Sequence, residues 1–166
     1  SGTLMHGGVG FDDLSGGEYD DIIYIDIVES EGRDNVSGGK GDDVFVIHSE
    51  SVEPGDALSI GNTSKEDMNS RLESLLAQNS INKDDVVLAG TIEDFSASGP
   101  NNMDSIVLSG FSDESDYSIH SDEDLALLLV EDNSQENLYT AAILMPEYGT
   151  FSSTDMDLMN ETIHRI

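Results

Sequence analysis

Cysteine is absent from this chain of 166 residues, which removes disulfide frameworks and thiol chemistry together and leaves the redox compartment open. Basic residues are scarce: 6 Lys and Arg stand against 35 Asp and Glu, a formal net charge of −29. Phosphate recognition needs a basic footprint, so nucleic acid is excluded as a partner. Anionic lipid could be approached only through bridging cations. No apolar run approaches the length of a membrane span, and the opening residues lack the pattern of a secretory signal peptide. The usual catalytic motifs are missing too. His6, His48, His120 and His164 are scattered with no HExxH helix, and there is neither a GxSxG elbow nor a P-loop. With carboxylates this abundant, some pair will fall at a glycosidase-like separation by chance, so their spacing is no sign of general acid and base chemistry. The chain reads as noncatalytic.

What is present is a nine-residue period. Gly7 to Ser15 and Gly16 to Tyr24 stand back to back, and Gly38 to Val46 repeats the same GGxGxDxUx pattern. A glycine pair lets the chain turn sharply, a further glycine lets backbone carbonyls close on an ion, and the sixth-position aspartate supplies a carboxylate. The apolar eighth residue then points inward: Leu14, Ile23 and Phe45. A fourth copy, Glu29 to Ser37, has lost its glycine pair but keeps Gly32, Asp34, Val36 and Ser37 in register. Ile25 to Val28 is an insertion of four residues between the two pairs of units. Every sixth position is aspartate: Asp12, Asp21, Asp34 and Asp43.

These repeats resemble the RTX (repeats-in-toxin) family, whose nonapeptides coil into a right-handed parallel β-roll of calcium-binding turns and very short strands. In that family an ion sits between turns two repeats apart. The resemblance therefore implies that Asp12 faces Asp34 and Asp21 faces Asp43, with Gly8, Gly10, Gly17, Gly32, Gly39 and Gly41 completing the turns that hold Ca²⁺. Departures are Tyr19 at a fourth position and Glu29-Ser30 in place of a glycine pair, which put the ion at the third unit's turn in question.

Charge bears on the same expectation. Eleven acids fall between residues 7 and 46, against Arg33 and Lys40 alone. A coil cannot gather those carboxylates without cations, so folding and metal binding should be coupled and the metal-free repeats largely disordered.

After Val46, residues 47–62 read as an exit loop with a possible strand. A single helix near 65–77 is expected next, capped by Thr63 or Ser64, with Met68, Leu72, Leu75 and Leu76 on one face that covers the end of the repeats or the adjoining sheet. Asp85 to Leu88, Thr91 to Phe95 and Met103 to Phe111 resemble the strand pattern that follows RTX arrays, with Ile92, Phe95, Ile106 and Leu108 as core. Asp94 and Asp104 read more simply as exposed acids at strand ends than as calcium ligands. Leu127 to Val130 and Leu138 to Leu144 suggest a hairpin, with a helix starting at Ser121 as the competing reading. The resulting organisation is repeats over 1–46, a flank over 47–146 and a polar tail over 147–166. The tail is compatible with a type I secretion signal, or with a terminal segment packing through Phe151, Met156, Leu158, Met159 and Ile163.

The fold expected is mainly β: the roll continued by a flanking sheet or sandwich with one capping helix. The function expected from the resemblance is a monomeric, noncatalytic calcium module at the C-terminal end of a larger exported bacterial protein. Its partners would be calcium ions and the type I secretion machinery, and its location the cell surface or medium. Ser1 looks like a cut within a longer chain. A surface adhesin is the first choice of parent. The alternatives are a secreted protease or lipase and a calcium-dependent glycan-binding module, the last disfavoured for anionic polymers by the charge.

Overall fold

Turns rich in glycine leave room for only short strands, and the strands alternate between two sheets. The computed structural model describes residues 2–6, 12–26, 34–48, 66–82, 85–97, 103–111, 116–122, 124–132, 138–147 and 149–166. The strands are β1 (Leu4–His6), β2 (Asp13–Ser15), β3 (Ile22–Asp26), β4 (Asp34–Ser37), β5 (Val44–His48), β6 (Val86–Ile92), β7 (Ser105–Ser109), β8 (Tyr117–Asp122), β9 (Leu125–Asp132), β10 (Leu138–Leu144) and β11 (Ile163–Arg165). Helix α1 spans Glu66–Gln78 and α2 spans Ser153–Leu158. One sheet has the order β1-β3-β5-β7-β11 and the other β2-β4-β6-β10-β9-β8. The first is parallel throughout; the second is parallel from β2 to β10 and antiparallel across β10, β9 and β8. The protein is thus mainly β, built on parallel pairing, with the strands from β1 to β7 falling alternately into one sheet and the other.

The register carries the repeat. Leu4 pairs with Ile22, a separation of 18 residues that equals two nine-residue units. Ile22 pairs with Val44, and Asp13 with Asn35. Contacts across these later turns span 22 residues, the same two units plus the insertion after Tyr24, of which Ile25 and Asp26 prolong β3. A much longer detour, containing α1, separates β5 from β7, yet Val44 still pairs with Ser105.

The core lies between the sheets. Ile23, Ile25, Phe45, Ile47, Ile106 and Leu108 from one meet Val36, Ile92, Leu128 and Leu144 from the other, all at most 1% exposed. The eighth-position residues Ile23, Val36 and Phe45 are fully buried, and Leu14, near the open end, is partly so. Ile92, Phe95, Ile106 and Leu108 are core, as the alternation requires.

A second cluster forms on the outer face of the six-stranded sheet, where Leu72, Leu75 and Leu76 of α1 cover Val86, Leu88, Leu125, Leu127, Leu129, Ala141 and Ile143. The side chain of Met68 and the caps Thr63 and Ser64 lie outside the described residues. Strand β9 is therefore buried on both faces, its odd-numbered leucines under α1 and Ala126, Leu128 and Val130 toward the other sheet. An unbroken apolar run of this kind carries no period, which is why a helix competed with the strand in the sequence. Strand β6 merges two expected strands. A bulge opposite Ala141 and Ala142 shifts its parity, so Val86 and Leu88 face the helix while Ala89 and Ile92 face the core.

The expectation of one helix is corrected by α2. Ser152 accepts from the Asp155 amide (3.0 Å) while the Asp155 carboxylate accepts from the Ser152 amide (3.1 Å), a capping box that makes even a short helix worthwhile. Phe151, Met159 and Ile163 then enter the core, and β11 pairs with β7. The tail is an integral edge of the five-stranded sheet. Met156, by contrast, is 38% exposed. Among the described residues no helix is long and apolar enough to cross a membrane.

Because Leu76 is 1% exposed and packs from α1 into the leucine cluster on the sheet, Leu76→Ala is expected to destabilise the fold by about 2–5 kcal/mol in denaturant titration. A loss below about 1 kcal/mol would show that α1 is not seated on the sheet.

Candidate metal centre

Three strands of the five-stranded sheet, β1, β3 and β5, are entered through a residue whose backbone amide is held by the next coil. The Thr3 amide donates to Asp21 Oδ1 at 2.6 Å, the Asp21 amide to Asp43 Oδ1 at 2.8 Å, and the Asp43 amide to Asp104 Oδ1 at 3.1 Å. In the six-stranded sheet the Asp12 amide, just before β2, donates to Asp34 Oδ1 at 3.2 Å. The expected pairs Asp12 with Asp34 and Asp21 with Asp43 are brought together. Asp21, Asp34, Asp43 and Asp104 are at most 5% exposed. Asp104 was expected to be an exposed acid; it is instead the next rung after Asp43. Its signal was available in the short pattern Asp-x-apolar, shared by Asp21-Ile22-Ile23, Asp43-Val44-Phe45 and Asp104-Ser105-Ile106, but no glycine marks it.

The second carboxylate oxygens are treated unequally. Asp21 Oδ2 accepts from the Gly17 amide at 2.8 Å, and Asp104 Oδ2 from the Ser96 amide at 2.9 Å. In the last repeat the glycine pair turns elsewhere: the Gly38 and Gly39 amides donate to Asp94 Oδ1 and Oδ2, at 2.9 and 2.8 Å. Asp43 Oδ2 is left buried without a hydrogen-bond partner, as is Asp12 Oδ2, the two such side-chain atoms among the described residues. A buried carboxylate oxygen without a donor is costly unless a cation compensates it.

Glycine is required where the turns stack. A Cβ on Gly38 would lie 2.0 Å from Asp43 Oδ2. Gly39 has φ +91°, and a Cβ there would lie 2.3 Å from Gly17 O. Over Gly16, Asp21 Oδ2 and Gly38 O crowd the same space from successive turns. Gly17 and Gly41 also belong to these described turns, whereas Gly8, Gly10 and Gly32 lie outside the described residues. The fifth-position acids take part as well. The Asp42 amide donates to Asp20 Oδ1 and the Met103 amide to Asp42 Oδ1, both at 2.8 Å, on the exposed rim where Lys40 pairs with Glu18.

The donor set consists of hard oxygens, carboxylates and carbonyls, which suits calcium and not a soft metal. Among the described residues no three His, Asp or Glu side chains form one ligating group, so an ion held here would depend on backbone carbonyls for much of its shell. The orphaned Asp43 Oδ2 and the absence of room for a Cβ at Gly38 fit such an ion.

Electrostatics disfavours the charged form of the same carboxyls. Burial pushes the Asp43 carboxyl up to about 6; the Asp21 amide offsets part of this, and the charges of Asp21, Asp94 and Asp20 add to it. Burial likewise pushes Asp104 up to about 8 despite the amides of Ser96 and Asp43, with the charges of Asp43 and Asp94 opposing ionisation.

Both folded values lie above the unfolded value of 3.8, so the folded state binds more protons between them and stability falls as pH rises. The contribution is full below about pH 4 and is lost through about 6 and about 8, with a slope of at most about 1.4 kcal/mol per pH unit for each group. The folded fraction of the metal-free chain should therefore rise between pH 8 and pH 5 in circular dichroism, and Asp104→Asn should flatten that slope. An unchanged slope in Asp104→Asn would remove Asp104 as its source.

No protein-family model matches this chain, and no curated protein matches it either.

Proposed function

We propose that the chain is a noncatalytic, calcium-binding module of RTX type, in which residues 1–46 form a parallel β-roll that folds when calcium fills its turns. The observation that carries this reading is the buried Asp43 Oδ2 without a partner, set between the last two turns of a stack in which Gly16, Gly38 and Gly39 leave no room for side chains. When bound, calcium would supply positive charge among carboxylates that otherwise repel one another. The residues of the chain provide the rest. Asp12, Asp21, Asp34 and Asp43 present the carboxylates, the glycine turns present carbonyls, and the amide-to-carboxylate ladder sets the spacing between coils.

The use we propose for this switch is export. An acidic chain at low cytosolic calcium stays unfolded enough to thread a type I secretion channel, and abundant extracellular calcium then folds it. Modules working outside the cell bind calcium at roughly 0.1 to 1 mM, which suits that contrast. The parent protein we favour is a bacterial surface adhesin.

Calcium titrated into the chelator-treated chain is expected to give a coil-to-β transition in far-UV circular dichroism at sub-millimolar to millimolar concentration, with magnesium unable to reproduce it. A chain fully folded without calcium, and unmoved by it, would sink the proposal. A second test separates the two acids of the last turn. Asp43 is 1% exposed while Asp42 is on the rim, so Asp43→Ala should raise the calcium midpoint of folding at least about tenfold, and Asp42→Ala by no more than about threefold. Equal losses would show that the register of the turns is wrong.

A further inference from the structure

Asp94 lies outside the repeats, yet both of its oxygens are committed to the glycine pair of the last one. We infer that Asp94 is a positioning residue that pre-forms the Gly38-Gly39 turn and so makes the calcium site at Asp43 fill before the one at Asp21. This rests on the calcium reading above and extends it to the order of binding.

Asp94 is held on both sides. It follows β6, which pairs with β4, and the Glu93 amide continues that ladder by donating to Val36 O at 2.8 Å. On its other side Phe95 is 1% exposed, donates its amide to Met145 O at 2.8 Å and places its ring 6.4 Å from that of Phe45. The carboxylate between these anchors is delivered to the two amides by the flank, without any contribution from the repeats' own aspartates. A group locked by its neighbours orders its partners at little further entropic cost.

The preceding coil shows what happens without such a clamp. There Gly17 donates to Asp21 Oδ2, the aspartate of its own turn. An ion approaching Asp21 must share or displace that hydrogen bond. At the last turn Asp94 has taken both glycine amides, so the turn is already shaped and Asp43 Oδ2 is released toward the ion. Both differences favour earlier binding at Asp43. The negative charge of Asp94 is also felt at Asp43, which draws a cation to the same place.

The test follows the ¹⁵N-labelled full chain by NMR as calcium alone is added, reading the Gly38 and Gly39 amides for the last turn and Gly17 for the one before. In the unaltered protein the Gly38 and Gly39 resonances are expected to reach their bound positions at lower calcium than Gly17. Asp94→Ala should raise the Gly38 and Gly39 midpoint at least about tenfold, since two charge-assisted hydrogen bonds are lost, and should abolish the lead over Gly17. The amides of Ala142 and Ile143, deep in the flank, report whether that variant still folds. If they shift too, Asp94→Asn decides, because asparagine can accept from one glycine amide but not both; a midpoint raised about threefold or more is then expected. Coincident midpoints for Gly17 and Gly38 in the unaltered protein, or an unmoved Gly38 and Gly39 midpoint in Asp94→Asn, would overturn the inference. Absence of any calcium-dependent resonance would instead overturn the calcium reading itself.

Discussion

A buried carboxylate that accepts a hydrogen bond from the backbone of the neighbouring coil sets the geometry of the five-stranded sheet. Thr3, Asp21 and Asp43 each give an amide to the aspartate one coil further on. The bond is short at Thr3 and Asp21, 2.6 and 2.8 Å, and charge-assisted wherever the accepting carboxylate is ionised, so it fixes the entry to those strands more firmly than a neutral turn could. It also buries negative charge beside negative charge. Stacking and repulsion are therefore generated by the same atoms, and the glycines follow from the need to bring those atoms close. A protein that uses this device depends on its ionic surroundings in a way that an apolar core does not.

The two ends of the stack differ. At the N-terminal end β1 and β2 are sheet edges, Leu4 is 65% exposed, and the inward-facing Met5 and Leu14 are only partly buried. At the other end three antiparallel strands, α1, α2 and β11 complete both sheets and bury a second apolar cluster. Each fully buried leucine there contributes on the order of 1.5–3 kcal/mol from area alone. The flank thus owns a source of stability that does not depend on charge compensation, whereas the apolar burial of the repeats is confined largely to Ile23, Ile25, Val36, Phe45 and Val46. The ion pair between Arg71 and Asp124, which holds the Asp124 carboxyl below its ordinary range, adds little because it is exposed.

Much of the repeat region was legible because its period is imposed by sterics. Glycine where a Cβ would collide, aspartate where a carboxylate must reach the next coil, and an apolar residue facing the core together leave a nine-residue signature. The pairs Asp12 with Asp34 and Asp21 with Asp43 are what the resemblance to RTX repeats implies once that signature fixes the register. Asp104 and Asp94 were not legible in this way. Their roles come from register across a detour of 61 and 55 or 56 residues, and neither carries a glycine turn of its own. Strand β8 was missed as well, since Tyr117 to Asp122 is polar and lies at an edge where only one neighbour constrains it. The capping box at Ser152 was readable but short. Only packing of Phe151, Met159 and Ile163 makes that tail part of the fold.

The tolerance of the long detour between β5 and β7 is itself informative. Loop-closure entropy grows only slowly with length, about 0.6 kcal/mol for each doubling. Keeping register across the insertion then requires a specific contact at its far end, and Asp104 supplies one by accepting from both Asp43 and Ser96. The insertion is not idle, because α1 covers the outer face of β6, β9 and β10. The coil can thus be interrupted by a whole helix without losing its sequence of rungs, provided that an aspartate re-enters at the sixth-position site. What is repeated in this protein is a carboxylate at a fixed height above the preceding turn, and the length of chain that delivers it is free to vary.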